Sequence, residues 1–293
     1  MSKTPVRRVG VLGAGTMGVG IAVVLLRAGH HVVMRDTTDE RVQTGIDGVT
    51  RFLDRSVELG KLDEATHRDA IAALAGTTDA TELADREFII EAIFEDTETK
   101  ADAFAELEAL CSSDTLFHTN TSTLSVSAIA GRMRDPGRVV GTHYCNPAPL
   151  MRLVEVVRGR KTTDAALQQT VEFLQGLGKT TVQCRDTPGF IVNRFLVPFE
   201  NDCIRALEDG MGTVESIDAA VRGALRYPMG TFRLLDIVGL DIHRAVSLSL
   251  YEQLRDPRCA PPPLVDRMIA AGDLGRKVGH GFYSYEDSGL MGT

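Results

Sequence analysis

The chain has 293 residues, 43% hydrophobic and 25% charged, with a formal charge of -8 whose acids and bases are interspersed. That length suits one large or two medium cores of a soluble globular protein, and the lack of a basic tail or patch argues against nucleic acid and anionic membranes as partners. Five scattered cysteines without CxxC or Cys/His spacing point away from a metal site and suit a reduced cytoplasm.

Two arginines ahead of an apolar run make residues 7–36 look first like a secretion leader. Gly10, Gly13, Gly15, Gly18 and Gly20 interrupt that run, each unfavourable in a helix interior by roughly 1 kcal/mol. No apolar run approaches the roughly 18 residues that span a bilayer. Arg8–Leu12 instead reads as a short buried strand, and residues 21–27 as a helix ended by Gly29. Between them stands Gly13-Ala14-Gly15-Thr16-Met17-Gly18, a GxGxxG turn. In a strand-turn-helix context the first glycine permits the turn, the second lets backbone approach a pyrophosphate, and the third lets helix and strand pack closely. His31–Arg35 makes a second strand, and Asp36 follows it, 18 residues past Gly18. An acid there would accept the ribose hydroxyls of NAD and repel the 2'-phosphate of NADP, with Arg35 and Arg41 as opposing cations. The competing reading is a glycine-rich turn in an α/β core that binds nothing.

Residues 39–75 carry apolar positions at 42, 46, 49, 53 and 57 and a second helical pattern after Asp63, a helical hairpin broken at ELGKLDE. Strands are expected over 88–93, 116–120, 138–143, 153–157 and 181–184, with helices over 97–110, 125–131 and 164–177. This alternation predicts an α/β fold, a doubly wound Rossmann-type sheet. It stops after Cys184; residues 189–209, 214–224, 230–254 and 261–272 read as helices. The expected division is therefore an α/β domain over 1–185 and an all-α domain over 186–293.

In GTHYCNPAPLMRLVEVV a strand ends at His143, NPAPL turns the chain, and Glu155 lies in a returning strand so apolar that its carboxylate needs a partner. The midpoint of the two residues is position 149, inside the turn, so a simple hairpin sets Glu155 opposite His143. A carboxylate there would fix the imidazole tautomer and stabilise its protonated form, an acid/base dyad. The alternative is a buried ion pair of structural use. Thr121, Ser122 and Thr123 fall at the carboxyl end of strand 116–120, where a hydroxyl can meet nicotinamide or substrate or simply cap a helix. His118, within that strand, reads as a packed core histidine.

Together with IIEAIFEDTETK, DTPGFIVNRFLVPFENDCIRALEDG, YPMGTFRLLDIVGLD and DLGRKVGHGFYSY, these stretches resemble the 3-hydroxyacyl-CoA dehydrogenase family across nearly the whole chain. The resemblance implies an NAD-dependent enzyme, a homodimer formed through the helical domain, and an acyl-CoA substrate in the cleft between domains. It implies His143 as general base, Glu155 as its orienting acid, Asn193 holding the substrate oxygen, and Ser122 and Asn146 lining the nicotinamide and reacting carbon. Glu95, Lys100 and Lys277 match positions that meet the cofactor, and Ser56 and Lys61 fall where the family contacts coenzyme A. Tyr144 and Cys145 stand where relatives commonly have two phenylalanines. Other readings are a dehydrogenase of a free hydroxy acid such as L-gulonate or of a carrier-bound acyl group, or a non-catalytic NAD-binding structural or sensor protein.

Overall fold

The computed structural model describes residues 5–285. By its internal contacts the chain forms two units, Met1–Phe190 and Ile191–Thr293.

The first unit opens with β1 (Arg8–Leu12), α1 (Thr16–Arg27) and β2 (His31–Arg35). The hairpin follows as α2 (Asp39–Glu58) and α3 (Glu64–Ala72), whose first turns are capped by Thr38 and Asp63 accepting from the amides of Arg41 and Thr66. Next come β3 (Leu74–Thr77), β4 (Phe88–Glu91), α4 (Thr97–Leu110), β5 (Leu116–Thr119), α5 (Val126–Ile129), β6 (Val139–Tyr144), β7 (Leu153–Arg158), α6 (Asp164–Gly176) and β8 (Thr180–Arg185). One correction concerns β3: the helical insertion expected to reach residue 75 ends at α3, and Leu74–Thr77 pairs in parallel with β2 at the sheet edge.

The eight strands lie in the order β3-β2-β1-β4-β5-β6-β7-β8. All neighbours run parallel except β6 and β7. Strand order reverses between β1 and β4, and in open α/β sheets the crevice beyond the carboxyl ends at such a switch point holds the ligand. Apolar side chains cover both faces. Val9, Val11, Val32 and Met34 pack with Ile21 and Leu25 of α1, and Leu12, Val33 and Ile89 pack with Phe104 and Leu107 of α4. Each such fully buried side chain contributes about 1.5–3 kcal/mol.

The second unit is helical: α7 (Val192–Glu208), α8 (Val214–Leu225), α9 (Thr231–Val238), α10 (Leu240–Leu254) and α11 (Pro263–Ala271). The single helix expected over 230–254 is two, because Gly239 takes φ +99° and ends α9. Ile204, Phe232, Leu235, Leu240 and Val265 make the core. Buried carboxylates tie its loops: Asp218 accepts from the Phe232 and Arg233 amides, and Asp236 from those of Phe282 and Tyr283. A buried histidine here, His243, faces Glu200 at 3.3 Å through Nδ1 and Asn201 at 2.8 Å through Nε2, so both ring nitrogens serve packing.

His118 is a core residue of β5, packed by the Phe88 and Phe173 rings. The Thr170 hydroxyl donates to the Ala166 carbonyl, so its oxygen accepts from His118 Nε2 at 2.9 Å and fixes that tautomer. Among the described residues Nδ1 meets no partner, and burial pushes the pKa from 6.5 down to about 3. The unfolded ring takes its proton near 6.5 and the folded ring only near 3, so stability falls as pH drops through that window, by roughly 1.4 kcal/mol per unit. His118→Gln keeps a donor for Thr170 and removes the titration. Thermal melts between about pH 6.5 and 4.5 should show a shallower decline in Tm for the variant than for the wild type; parallel curves would contradict the assignment.

Candidate active site

The GxGxxG turn joins β1 to α1 at the strand-order reversal. Gly13 takes φ +99°, and a Cβ there would lie 2.5 Å from the Ala92 carbonyl oxygen. At Gly18 a Cβ would overlap the Gly13 carbonyl, whereas at Gly15 it would meet no protein atom within 4 Å. The first and third glycines are thus dictated by the fold. The second leaves open the space a ligand needs above the start of α1, a helix that begins without a side-chain cap and with no acid in its first turn. Amides exposed there, and the positive end of the helix dipole, suit a pyrophosphate. The residues fit NAD.

Asp36 Oδ2 accepts from the Ala14 amide at 2.9 Å and Oδ1 from the Thr37 amide at 2.7 Å, while Arg41 lies 3.7 Å away. Partial burial would raise its pKa, but these hydrogen bonds and the Arg41 charge outweigh it and hold the carboxylate below its usual range. The acid is ionised; Oδ1 also accepts from the Thr37 hydroxyl at 3.2 Å, and a ribose hydroxyl would meet the acceptor capacity that remains.

β6 and β7 pair with His143 directly opposite Glu155. Residues opposite each other in an antiparallel pair share a face, and the side chains meet: Nδ1 lies 2.7 Å from Glu155 Oε2. Glu155 is fully buried and the ring nearly so. With Nδ1–H donating to the carboxylate, Nε2 is the nitrogen that can take a proton. Phe190 walls the ring at 5.9 Å and holds φ +49°, unusual for a residue with a side chain.

A charged relay stands at the ends of β4 and β5. Glu91, fully buried, accepts from the Thr119 hydroxyl at 2.6 Å and the Ile93 amide at 2.8 Å. Lys100, 1% exposed, sits 2.5 Å from Glu91 and 3.1 Å from Glu95. Glu95 in turn accepts from the Thr121 hydroxyl at 2.5 Å and the Ser122 amide at 2.8 Å. Burial would raise the Glu95 pKa, but the Lys100 charge and these donors hold it low. The Lys100 ammonium is therefore committed within the protein, and it bears on the loop carrying Ser122 through Glu95. Sequence reasoning missed Glu91, although an acid inside FIIEAIF is the same signal that singled out Glu155. It also missed Asn120, whose side-chain oxygen accepts from the Tyr144 amide at 2.9 Å and ties the end of β5 to the end of β6.

Asn146 is exposed on the β6–β7 turn and precedes a cis proline, Pro147. The buried Ser56 hydroxyl donates to the Phe52 carbonyl at 2.8 Å, whereas Lys61, one turn on, is exposed; its amide donates to the Ser56 carbonyl. The fold thus leaves the lysine, not the serine hydroxyl, presented outward. Asn193 and Lys277 belong to the second unit, Asn193 in the first turn of α7 and Lys277 with its ammonium 2.6 Å from both Asp241 oxygens. Among the described residues no cluster of three or more His, Cys, Asp or Glu could hold a metal ion.

Residues 8–187 match the 3-hydroxyacyl-CoA dehydrogenase NAD-binding domain and residues 189–285 its C-terminal domain. A 3-hydroxybutyryl-CoA dehydrogenase of Mycobacterium tuberculosis is 42% identical over 96% of this chain and 99% of its own. The crystal structure of M. tuberculosis FadB2 superposes with a TM-score of 0.93 at 42% identity, covering 96% of this chain and 100% of that one. That of a (S)-3-hydroxybutyryl-CoA dehydrogenase from Ralstonia eutropha gives 0.90 at 36% identity, covering 97% and 100%. The glycine turn with its acid, and the histidine set opposite a buried glutamate, are therefore those of a chain that belongs to the 3-hydroxyacyl-CoA dehydrogenase family.

Proposed function

We propose that this NAD-dependent dehydrogenase interconverts (S)-3-hydroxyacyl-CoA and 3-ketoacyl-CoA, with the four-carbon pair 3-hydroxybutyryl-CoA and acetoacetyl-CoA as its substrates. The His143–Glu155 contact at 2.7 Å carries the reading. When bound, NAD accepts the hydride that leaves C3. His143 Nε2 takes the hydroxyl proton as the C3 carbonyl forms, and Glu155 stabilises the imidazolium through Nδ1–H. Asn193 and Ser122 hold the reacting oxygen, Asn146 faces the nicotinamide, and Lys61 meets a phosphate of the carrier. Glu95 and Lys277 contact the cofactor, Lys100 positioning Glu95. Relatives differ in acyl group: the 3-hydroxyadipyl-CoA dehydrogenase of Escherichia coli is 41% identical over 96% of this chain and 59% of its own. The short side of that range is favoured here because 3-hydroxybutyryl-CoA enzymes recur among the similar full-length chains.

The proposed assembly is a cytoplasmic homodimer joined through the second unit, acting in fatty acid β-oxidation or a related thioester pathway. Phe195 and Met211 are 72% and 79% exposed there, and Tyr227, Ile237 and Ile242 add apolar area to be covered. No helix among the described residues is long and apolar enough to cross a membrane.

Two measurements test this reading. NADH consumption with acetoacetyl-CoA should exceed that with free acetoacetate by about 100-fold or more in kcat/KM, because remote binding energy from the carrier is used at the reacting centre. NAD reduction with L-gulonate should be negligible, and equal or faster turnover of the free acids would overturn the thioester assignment. Asp36→Ala should weaken NAD by roughly tenfold or more and narrow the NAD/NADP ratio, since the hydroxyls lose their acceptor and a 2'-phosphate loses its repulsion. Preference for NADPH in the wild type would contradict it.

A further inference from the structure

One cavity of the first unit carries charge without its complement. It measures about 440 Å³ and lies where the C-terminal ends of α1 and α6 meet residues 149–152. Arg27, Arg152 and Lys179 line it, exposed Leu150 and Met151 flank them, and no acidic side chain contributes. Lys179 is the anomaly, being only 9% exposed. Its ammonium donates to the Ala148 carbonyl at 2.6 Å and the Met151 carbonyl at 2.8 Å, which leaves one of three protons for the cavity.

Elsewhere in this unit buried cations face carboxylates: Lys100 has Glu91 and Glu95, and Arg138 has Glu108 at 2.9 Å. Among the described residues Lys179, Arg27 and Arg152 have no carboxylate within ion-pair distance. Arg27 ends α1, where a cation complements the helix dipole, and that position explains Arg27 without a ligand. It does not explain a buried ammonium with two further cations beside it, in a protein whose net charge is -8. Burial, and then the Arg27 charge, hold the Lys179 pKa below the ordinary lysine range. An anion beside the ammonium would offset both.

We infer that this cavity binds the oxyanion of a small molecule, a phosphate or carboxylate whose apolar part lies along Leu150 and Met151, and that its occupancy steadies the turn between His143 and Glu155. The coupling runs through Lys179. An anion that holds the ammonium charged strengthens its bonds to the two carbonyls, and these belong to the turn that presents Asn146. The Leu150 and Met151 amides, both donating to the Pro147 carbonyl at 3.0 Å, belong to the same turn.

The test uses the full chain without cofactor or substrate. Thermal melts in inorganic phosphate and in sodium octanoate are compared with chloride at equal ionic strength, for the wild type and for Arg27→Gln/Arg152→Gln, which leaves Lys179 and its bonds in place. At tenfold excess over Kd an anion should raise the wild-type Tm by roughly 2–4 °C. The double variant should lose at least about fivefold in affinity. In the wild type alone, the anion should slow hydrogen exchange at the Leu150 and Met151 amides. Saturation at lower octanoate than phosphate identifies an acyl carboxylate as the ligand, and the reverse a phosphate; either supports the site if the double variant loses it. A response equal to that in chloride, or one that persists in the double variant because the anion sits at the glycine turn or Lys61, overturns the inference. Its failure would leave the dehydrogenase reading untouched, since neither depends on the other.

Discussion

A carboxylate fully enclosed by the sheet must have a partner, and the reversal of strand direction between β6 and β7 is what supplies it. Had β7 run parallel to β6, a crossover would have intervened and the next strand's residues would have come from a different register. The short turn over 145–152 instead returns the chain directly, setting Glu155 against His143 on one face and Tyr144 against Val154 on the other. The desolvation of Glu155 is thereby tied to the orientation of the imidazole. Removing His143 takes the 2.7 Å partner from a fully buried carboxylate, and removing Glu155 takes the acceptor from Nδ1.

The same logic recurs along the carboxyl ends of the strands. Glu91 under Lys100, Asn120 under the Tyr144 amide, and Lys179 under the β6–β7 turn are buried polar side chains that hold a loop in place, and the more exposed Glu95 does the same for Thr121 and Ser122. Loops are where binding groups can stand, and a rigid scaffold makes their positions repeatable. His118 lies on β5 as well, but one residue before Thr119, inside the packed layer. There its ring meets phenylalanines and a threonine hydroxyl, and it serves the core. Two histidines on neighbouring strands thus differ in use because one faces a carboxylate near the strand end and the other does not.

Much of this was legible in the residues. Hydrophobic runs punctuated by glycine marked β1, the turn and β2, and the position of Asp36 followed from the end of β2. The hairpin midpoint at 149 sufficed to set His143 opposite Glu155, the register that β6 and β7 adopt. What stayed hidden depended on contacts that no local pattern encodes. Leu74–Thr77 is a four-residue edge strand containing glycine, too short and too weak in β propensity to separate from the helix before it. Across Gly239 the apolar spacing continues unbroken, so the break between α9 and α10 appears only in its positive φ. Glu91 carried the same signal as Glu155, but its partner Lys100 sits on a helix across a loop, where counting residues does not reveal a contact. Phe190 owes its place beside His143 to a backbone conformation that its identity disfavours.

The central claim is that the buried carboxylate serves the proton transfer and not merely the packing. Glu155→Gln separates the two, because the amide keeps the shape while losing the charge that stabilises the imidazolium. Turnover, NAD affinity and Tm should be measured on one preparation. The account predicts a folded variant with NAD affinity near wild type and turnover reduced by at least roughly tenfold. A well-folded variant with full turnover per molecule, or one whose lost activity merely tracks lost Tm, would contradict it.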